Sequence, residues 1–248
     1  MCDIAGSEPG TGWRGWNTSD GASPAGPAGD WIDLTWPLSP DVPRLASFPP
    51  PAIGRFASLP EQPFNVTEFS MIVHVGTHVD SPRHFFADGP ALEDVPLTRL
   101  MGSGVVWRMD VPLETVIEPE NLEQMRPALE PGDILLLDTG AASHVGTADY
   151  HRHASLSARS AEWLVEQQVK LLGVDASTPE LPIPLRPPEF EFPVHHTLLR
   201  DGVLIAEQVA NLGPLAGQRV ELVFCPLNIV GSDGAPARVL GRTNVTRR

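Results

Sequence analysis

The sequence predicts an α/β class, a single domain with a mixed β-sheet and flanking helices. Three observations carry that expectation. Asp133 to Asp138 and Val169 to Val174 are continuous apolar runs of strand length. Between them, Ala158 to Gln168 is amphipathic, with Ala158, Ala161, Leu164 and Val165 on one side and Ser157 placed to cap it. Strand, helix and strand make a βαβ unit, whose parallel strands are buried on both faces and so lose the polar alternation of a half-exposed strand. The length, 248 residues, suits one large domain with a tail.

In chain order, residues 1 to 30 are rich in Gly, Ser, Pro and Asp and lack the basic start and apolar run of a signal peptide. They read as a flexible N-terminal tail ahead of a domain spanning 31 to 248. Trp13 and Trp16 are unusual for such a tail and are candidates to dock on the domain or on a partner subunit. Trp31 to Trp36 reads as the first strand, followed by Pro-rich sequence up to Pro51. Val66 to Val75 is rich in β-branched and aromatic residues and reads as a strand that His74 closes. Gly104 to Val111 is a further strand, and Glu120 to Met125 a short helix opened by Pro119. Gly202 to Val209 and Arg219 to Ile229 read as two more strands. No internal repeat is visible.

Composition excludes several classes of function. The net charge of −14 argues against nucleic-acid partners and anionic membrane surfaces. No apolar run reaches the length of a transmembrane helix. Cys2 and Cys225 are the only cysteines, one in the tail and one in an apolar run. A disulfide framework is therefore not expected, which fits a reducing, cytoplasmic compartment.

The chemistry concentrates in Val73 to Phe86. His74, His78, Asp80 and His84 fall within eleven residues, with Gly76, Thr77 and Pro82 between them. Steps of four, six and ten from His74 serve no helix or strand packing pattern. They do suit a metal site, because neutral imidazole and carboxylate are the usual ligands of zinc, manganese and iron. The competing account is a solvated His-rich turn, but Val, Gly, Thr and Pro between the ligands do not make an exposed loop. Gly76 lets the chain turn, and Pro82 makes a regular helix through Asp80 unfavourable. Farther on, Glu207 shares a strand face with Val203 and Ile205, and a carboxylate on an apolar face needs a partner. That partner is either a metal or a salt bridge to Arg219 or Arg238. His144, His151 and His153 lie in a polar stretch that reads as a surface loop near the pocket mouth. Leu181 to Pro193, stiff with prolines and carrying Phe190 and Phe192, reads as a pocket rim, a subunit contact or a plain connection.

The run His74-Val-Gly-Thr-His78-Val-Asp80-Ser-Pro82-Arg-His84 resembles the His-x-Gly-Thr-His-x-Asp-x-Pro-x-His signature of the metal-dependent cyclase-like hydrolases. That family includes bacterial kynurenine formamidases, isatin hydrolases and polyketide cyclases. Asp33-Leu-Thr-Trp-Pro-Leu-Ser resembles its opening run, and Pro226 to Arg238 its closing run, so the resemblance covers roughly 31 to 241. His195 and Glu207 keep the family's spacing of twelve. The resemblance implies the swivelling β/β/α fold of the kynurenine formamidase-like group and a homodimer or homotetramer. It implies that His74, His78 and Asp80 bind one metal, and that Asp80, His195 and Glu207 bind a second. The ions implied are manganese or zinc, one or two per chain. His84 would be the proton shuttle. Phe48 before Pro49 is the nearest match to an aromatic that lines the substrate pocket, or else an ordinary loop-covering aromatic. The closing run is assigned no chemistry. The implied activity on a small-molecule substrate is hydrolysis of a small cyclic or N-aryl amide by metal-bound hydroxide. The alternative is a metal-dependent cyclase in aromatic polyketide biosynthesis.

Overall fold

The computed structural model describes residues 30–243. Cys2, Trp13, Trp16 and nearly all of the expected tail lie outside the described residues. The elements in order are β1 (Ile32–Asp33), β2 (Ala52–Ala57), β3 (Val66–Ser70), β4 (His78–Asp80), α1 (Leu97–Leu100), β5 (Met101–Arg108), β6 (Val116–Ile117) and α2 (Pro119–Leu122). They continue with β7 (Ile134–Asp138), β8 (Ser155–Leu156), α3 (Ala158–Glu166), β9 (Leu171–Val174), α4 (Pro193–Arg200), β10 (Leu204–Glu207), β11 (Gln218–Pro226) and β12 (Gly234–Thr243). The main sheet runs β1-β12-β11-β5-β7-β9-β10-β4, and β4 also pairs with β12. The strands from β12 round to β4 therefore close on themselves as a barrel. β5, β7, β9 and β10 are parallel, while β4, β11 and β12 join antiparallel. The protein is a single mixed α/β domain with few helices, as expected.

The parallel strands show why their sequences read as continuous apolar runs. Every residue of β7 is buried. Ile134 and Leu136 pack with Val106, Leu171, Leu204 and Leu222 on one face. Leu135 and Leu137 pack on the other with Trp107, Leu164, Leu172 and Leu198, the last on α4. Each such side chain removed from water contributes roughly 1.5–3 kcal/mol. Ser157 caps α3 as expected, its hydroxyl accepting from the Ser160 N–H at 3.1 Å. Cys225 is exposed with a free thiol, and among the described residues no helix is long and apolar enough to cross a membrane.

Three segments differ from the sequence reading. The strand expected to reach Val75 stops at Ser70. β3 pairs only with β2, in a hairpin whose residues are almost all exposed, so its alternation reflects no core face. The chain then peels away, turns at Gly76 (φ +70) where a Cβ would come 2.8 Å from Val42 Cγ2, and re-enters the sheet at His78. His74 thus sits in the turn rather than on a strand end. The closing run, Pro226 to Arg238, contains the first half of β12 (Gly234–Thr243). The segment before β10 forms helix α4, with Pro193 in its first turn.

Candidate active site

Four elements and a turn converge where β4 lies between β10 and β12. His78 and Asp80 are two apart on β4 and so share a face. Glu207 closes β10 and stands directly opposite His78 in the antiparallel register. His195 comes from the first turn of α4, His74 from the turn before β4, and His84 from a short 3₁₀ turn, Pro82–His84. Gly234 on β12 makes the fit possible: a Cβ there would come 2.8 Å from both His74 Cε1 and the Val79 carbonyl oxygen.

The hydrogen bonds fix how these groups face one another. The Gly76 carbonyl accepts from His78 Nδ1 at 2.7 Å, which assigns the ring tautomer and leaves Nε2 to carry a lone pair. Nε2 points between Asp80 Oδ1 and Glu207 Oε2, 3.4 Å from each. Glu180 Oε1 accepts from both the backbone N–H and Nδ1 of His195, at 2.8 and 2.9 Å. His195 Nε2 is thereby aimed at Glu207 Oε1 (3.3 Å) and Asp80 Oδ2 (3.7 Å). His74 Nδ1 lies 2.8 Å from Asp80 Oδ1, and its Nε2 lies 2.8 Å from Asp233 Oδ2. Asp233 Oδ2 also lies 3.3 Å from His84 Nδ1, and the His84 ring stacks on His74 with centroids 4.0 Å apart.

The electrostatics call for a cation. Asp80, Glu180, Glu207 and Asp233 place four carboxylates in one cluster. Burial alone would lower the basicity of His74 and His195, yet the carboxylates reverse that. Hydrogen bonds to Asp80 and Asp233 push His74 up to about 9, and those to Glu180 and Glu207 push His195 up to about 10. Burial would raise Asp80, but the His74 hydrogen bond and the neighbouring imidazoles hold its carboxyl below the usual range. His84 moves the other way: burial pushes it down, so it is neutral at neutral pH.

These residues fit a divalent transition ion. His78 Nε2 and Asp80 Oδ2 are buried with no hydrogen-bond partner, a costly arrangement that a bound cation relieves. His74, His78 and Asp80 offer ligand atoms all within 4.8 Å of one another, and so do Asp80, His84 and His195. Imidazole and carboxylate donors suit zinc or manganese better than calcium or magnesium. Neither alternative partner reaches Glu207: Arg219 pairs with Asp133 and Glu130, and Arg238 with Asp33.

The cluster forms one wall of a small recess, about 70 Å³, that opens to solvent. Phe48, Phe85 and Phe192 line it with Thr178 and Arg186. Phe192 adopts a left-handed backbone (φ 51) at the entry to α4, and its ring lies 5.6 Å from Phe85. Strain of this kind in a non-glycine residue concentrates at ligand sites. A roomier groove at Trp36, Phe69 and Cys225 holds no histidine, so the chemistry selects the smaller space. The Leu181 to Pro193 stretch is thus a rim, through Arg186 and Phe192. His153 departs from the expected surface loop: it is buried, with Nε2 3.0 Å from the Glu180 carbonyl oxygen.

Sequence reasoning left out Asp233 and Glu180. Asp233 lay within the closing run that had been assigned no chemistry. Glu180 had one available signal, a carboxylate placed just ahead of the Pro-rich rim.

Known proteins share this architecture. The sequence profile of the Cyclase family matches residues 32–180. A kynurenine formamidase from Bacillus cereus is 32% identical over 221 residues, covering 86% of this chain and 97% of that protein. The chain belongs to the Cyclase family. A Bordetella petrii kynurenine formamidase is a further relative of this Cyclase-family protein, 29% identical over 84% of the chain and 97% of its own length. Isatin hydrolase A from Labrenzia aggregata, solved with benzyl benzoate, shares the fold, with a TM-score of 0.78 at 21% identity over 86% of this chain and 93% of that one. A solved structure described as a potential metal-dependent hydrolase with cyclase activity superposes with a TM-score of 0.72 at 27% identity, covering 87% and 98%. The relatives support a hydrolase of this family.

Proposed function

We propose that this protein is a metal-dependent amidohydrolase that opens a small cyclic or N-aryl amide, of the isatin or N-formylkynurenine type. The observation that carries the reading is the pair of buried, unpartnered atoms, His78 Nε2 and Asp80 Oδ2, facing Glu207 and His195 at the wall of an aromatic recess. In this reading His74, His78 and Asp80, whose ligand atoms lie within 4.8 Å of one another, hold one ion, and Asp80, His195 and Glu207, joined through His195 Nε2, hold a second. A divalent ion, when bound, supplies an activated water and polarises the amide carbonyl.

The remaining work falls to the chain. Glu180 holds the His195 ring so that Nε2 faces the ligand cluster, and Gly76 does the same for His78. Phe48, Phe85 and Phe192 exclude water and bind the flat ring of the substrate. His84, neutral and reaching the recess, takes a proton at an imidazole nitrogen and returns it to the leaving nitrogen. Asp233, held by His74, orients His84 through Nδ1.

A panel of N-formylkynurenine, isatin and simple formanilides, run with added manganese or zinc, tests the reading. Turnover of at least one, lost on chelation and restored by metal, is the expected result. No turnover of any amide, with cyclisation of an aromatic polyketide precursor instead, would move the assignment to the cyclase chemistry that the family name records.

A further inference from the structure

Arg186 is the one arginine among the residues that line the recess, where there is no lysine, and it has no role in the chemistry above. It follows a 3₁₀ turn, Ile183–Leu185, in the Pro-rich rim. Its Nε donates to the Leu181 carbonyl at 2.8 Å, which anchors the side chain. The guanidinium carbon lies 5.1 Å from the Phe190 ring centroid and 5.0 Å from that of Phe192, so cation–π contacts brace it on two sides. Arg108, Arg219 and Arg238 pair with Asp138, Asp133 and Asp33. Arg186 has no carboxylate within salt-bridge distance among the described residues, and its two Nη groups make no hydrogen bond there. The nearby carboxylates are committed, Glu180 to His195 and Glu207 to His78 and His195.

A half-buried, braced and unpaired guanidinium in a recess is an anion receptor. In a protein of net charge −14 it stands out as a local positive centre. Its planar fork matches a carboxylate better than an ammonium would. The recess thus offers three things together: an aromatic wall, a cluster that activates an amide, and a free guanidinium.

We propose that Arg186 makes this site selective for an aryl amide that carries a carboxylate. The ring packs against Phe48, Phe85 and Phe192, the amide reaches the histidine cluster, and the carboxylate takes the free N–H groups of Arg186. The amide part of this assignment rests on the proposed hydrolase activity. The anion-binding part does not, and the experiment separates them.

The probes are the 2-, 3- and 4-formamidobenzoates, each compared with its neutral formamidobenzamide, titrated by calorimetry into metal-loaded protein. At least one acid should bind about tenfold or more tighter than its amide, the usual worth of a charge-assisted hydrogen bond. Arg186→Gln should abolish that preference while leaving the amide's affinity within about twofold, and Arg186→Lys should restore part of it. Where the preferred acid turns over, Arg186→Gln should raise KM and keep kcat. No preference for any acid would overturn the proposal. So would a preference that survives in Arg186→Gln, as for a carboxylate bound directly to metal, or an equal loss for acid and amide, as for a purely structural side chain. Selective binding without hydrolysis would defeat the hydrolase reading and leave Arg186 as an anion receptor. Hydrolysis without acid selectivity would do the reverse.

Discussion

His78→Ala is expected to remove bound metal and turnover together. His78 is fully buried on β4, and its ring is held by the Gly76 carbonyl with Nε2 aimed between Asp80 and Glu207. Without that ligand, Asp80 and Glu207 face each other across a site that has lost a donor, and affinity for the ion collapses. The Gly76 carbonyl also loses its hydrogen-bond donor, at a cost of roughly 1–3 kcal/mol if it stays buried. A modest fall in melting temperature should therefore accompany the loss of function. Elemental analysis and kinetics on the folded variant, checked by circular dichroism, read both effects. Retention of metal at the wild-type level would remove His78 from the ligand set.

His84→Ala should behave differently. His84 stacks on His74, lies 3.3 Å from Asp233 Oδ2 and lines the recess with a partly exposed ring. Burial lowers its basicity, so it is a neutral acceptor at neutral pH. These are the properties of a proton carrier. The variant should keep its metal while kcat falls by roughly 10²–10⁴, the usual contribution of a positioned acid–base group. The geometry also groups His84 with Asp80 and His195 as a ligand set. If His84→Ala loses metal as completely as His78→Ala, His84 is a ligand and another group moves the proton.

What could be read from the chain depended on whether the signal was local. The candidate site residues His74, His78, Asp80 and His84 were legible because chemistry of one kind was packed into eleven residues. The parallel strands β5, β7, β9 and β10 were legible because burial on both faces demands apolar runs. β12 was hidden by its own composition. Ala235, Ala237 and Val239 alternate correctly on its buried face, but Gly234, Pro236 and Arg238 between them imitate a turn. Helix α4 spans eight residues, little more than two turns, too short for a 3.6-residue period to declare itself. Asp233 was invisible for another reason. Its contact with His74 joins residues 159 apart in sequence, and nothing local in Gly-Ser-Asp-Gly announces a distant imidazole. Glu180 reaches His195 only because the Pro-rich rim folds back.

The buried cluster around His78 and Asp80 is proposed as a divalent-metal centre. The most direct measurement is the metal content of protein purified without chelator, followed by calorimetric titration of manganese or zinc into chelator-stripped protein. One or two equivalents per chain, binding tightly and abolished in His78→Ala, is the predicted result. Less than about a tenth of an equivalent, with no uptake on titration and no gain of activity, would contradict the account.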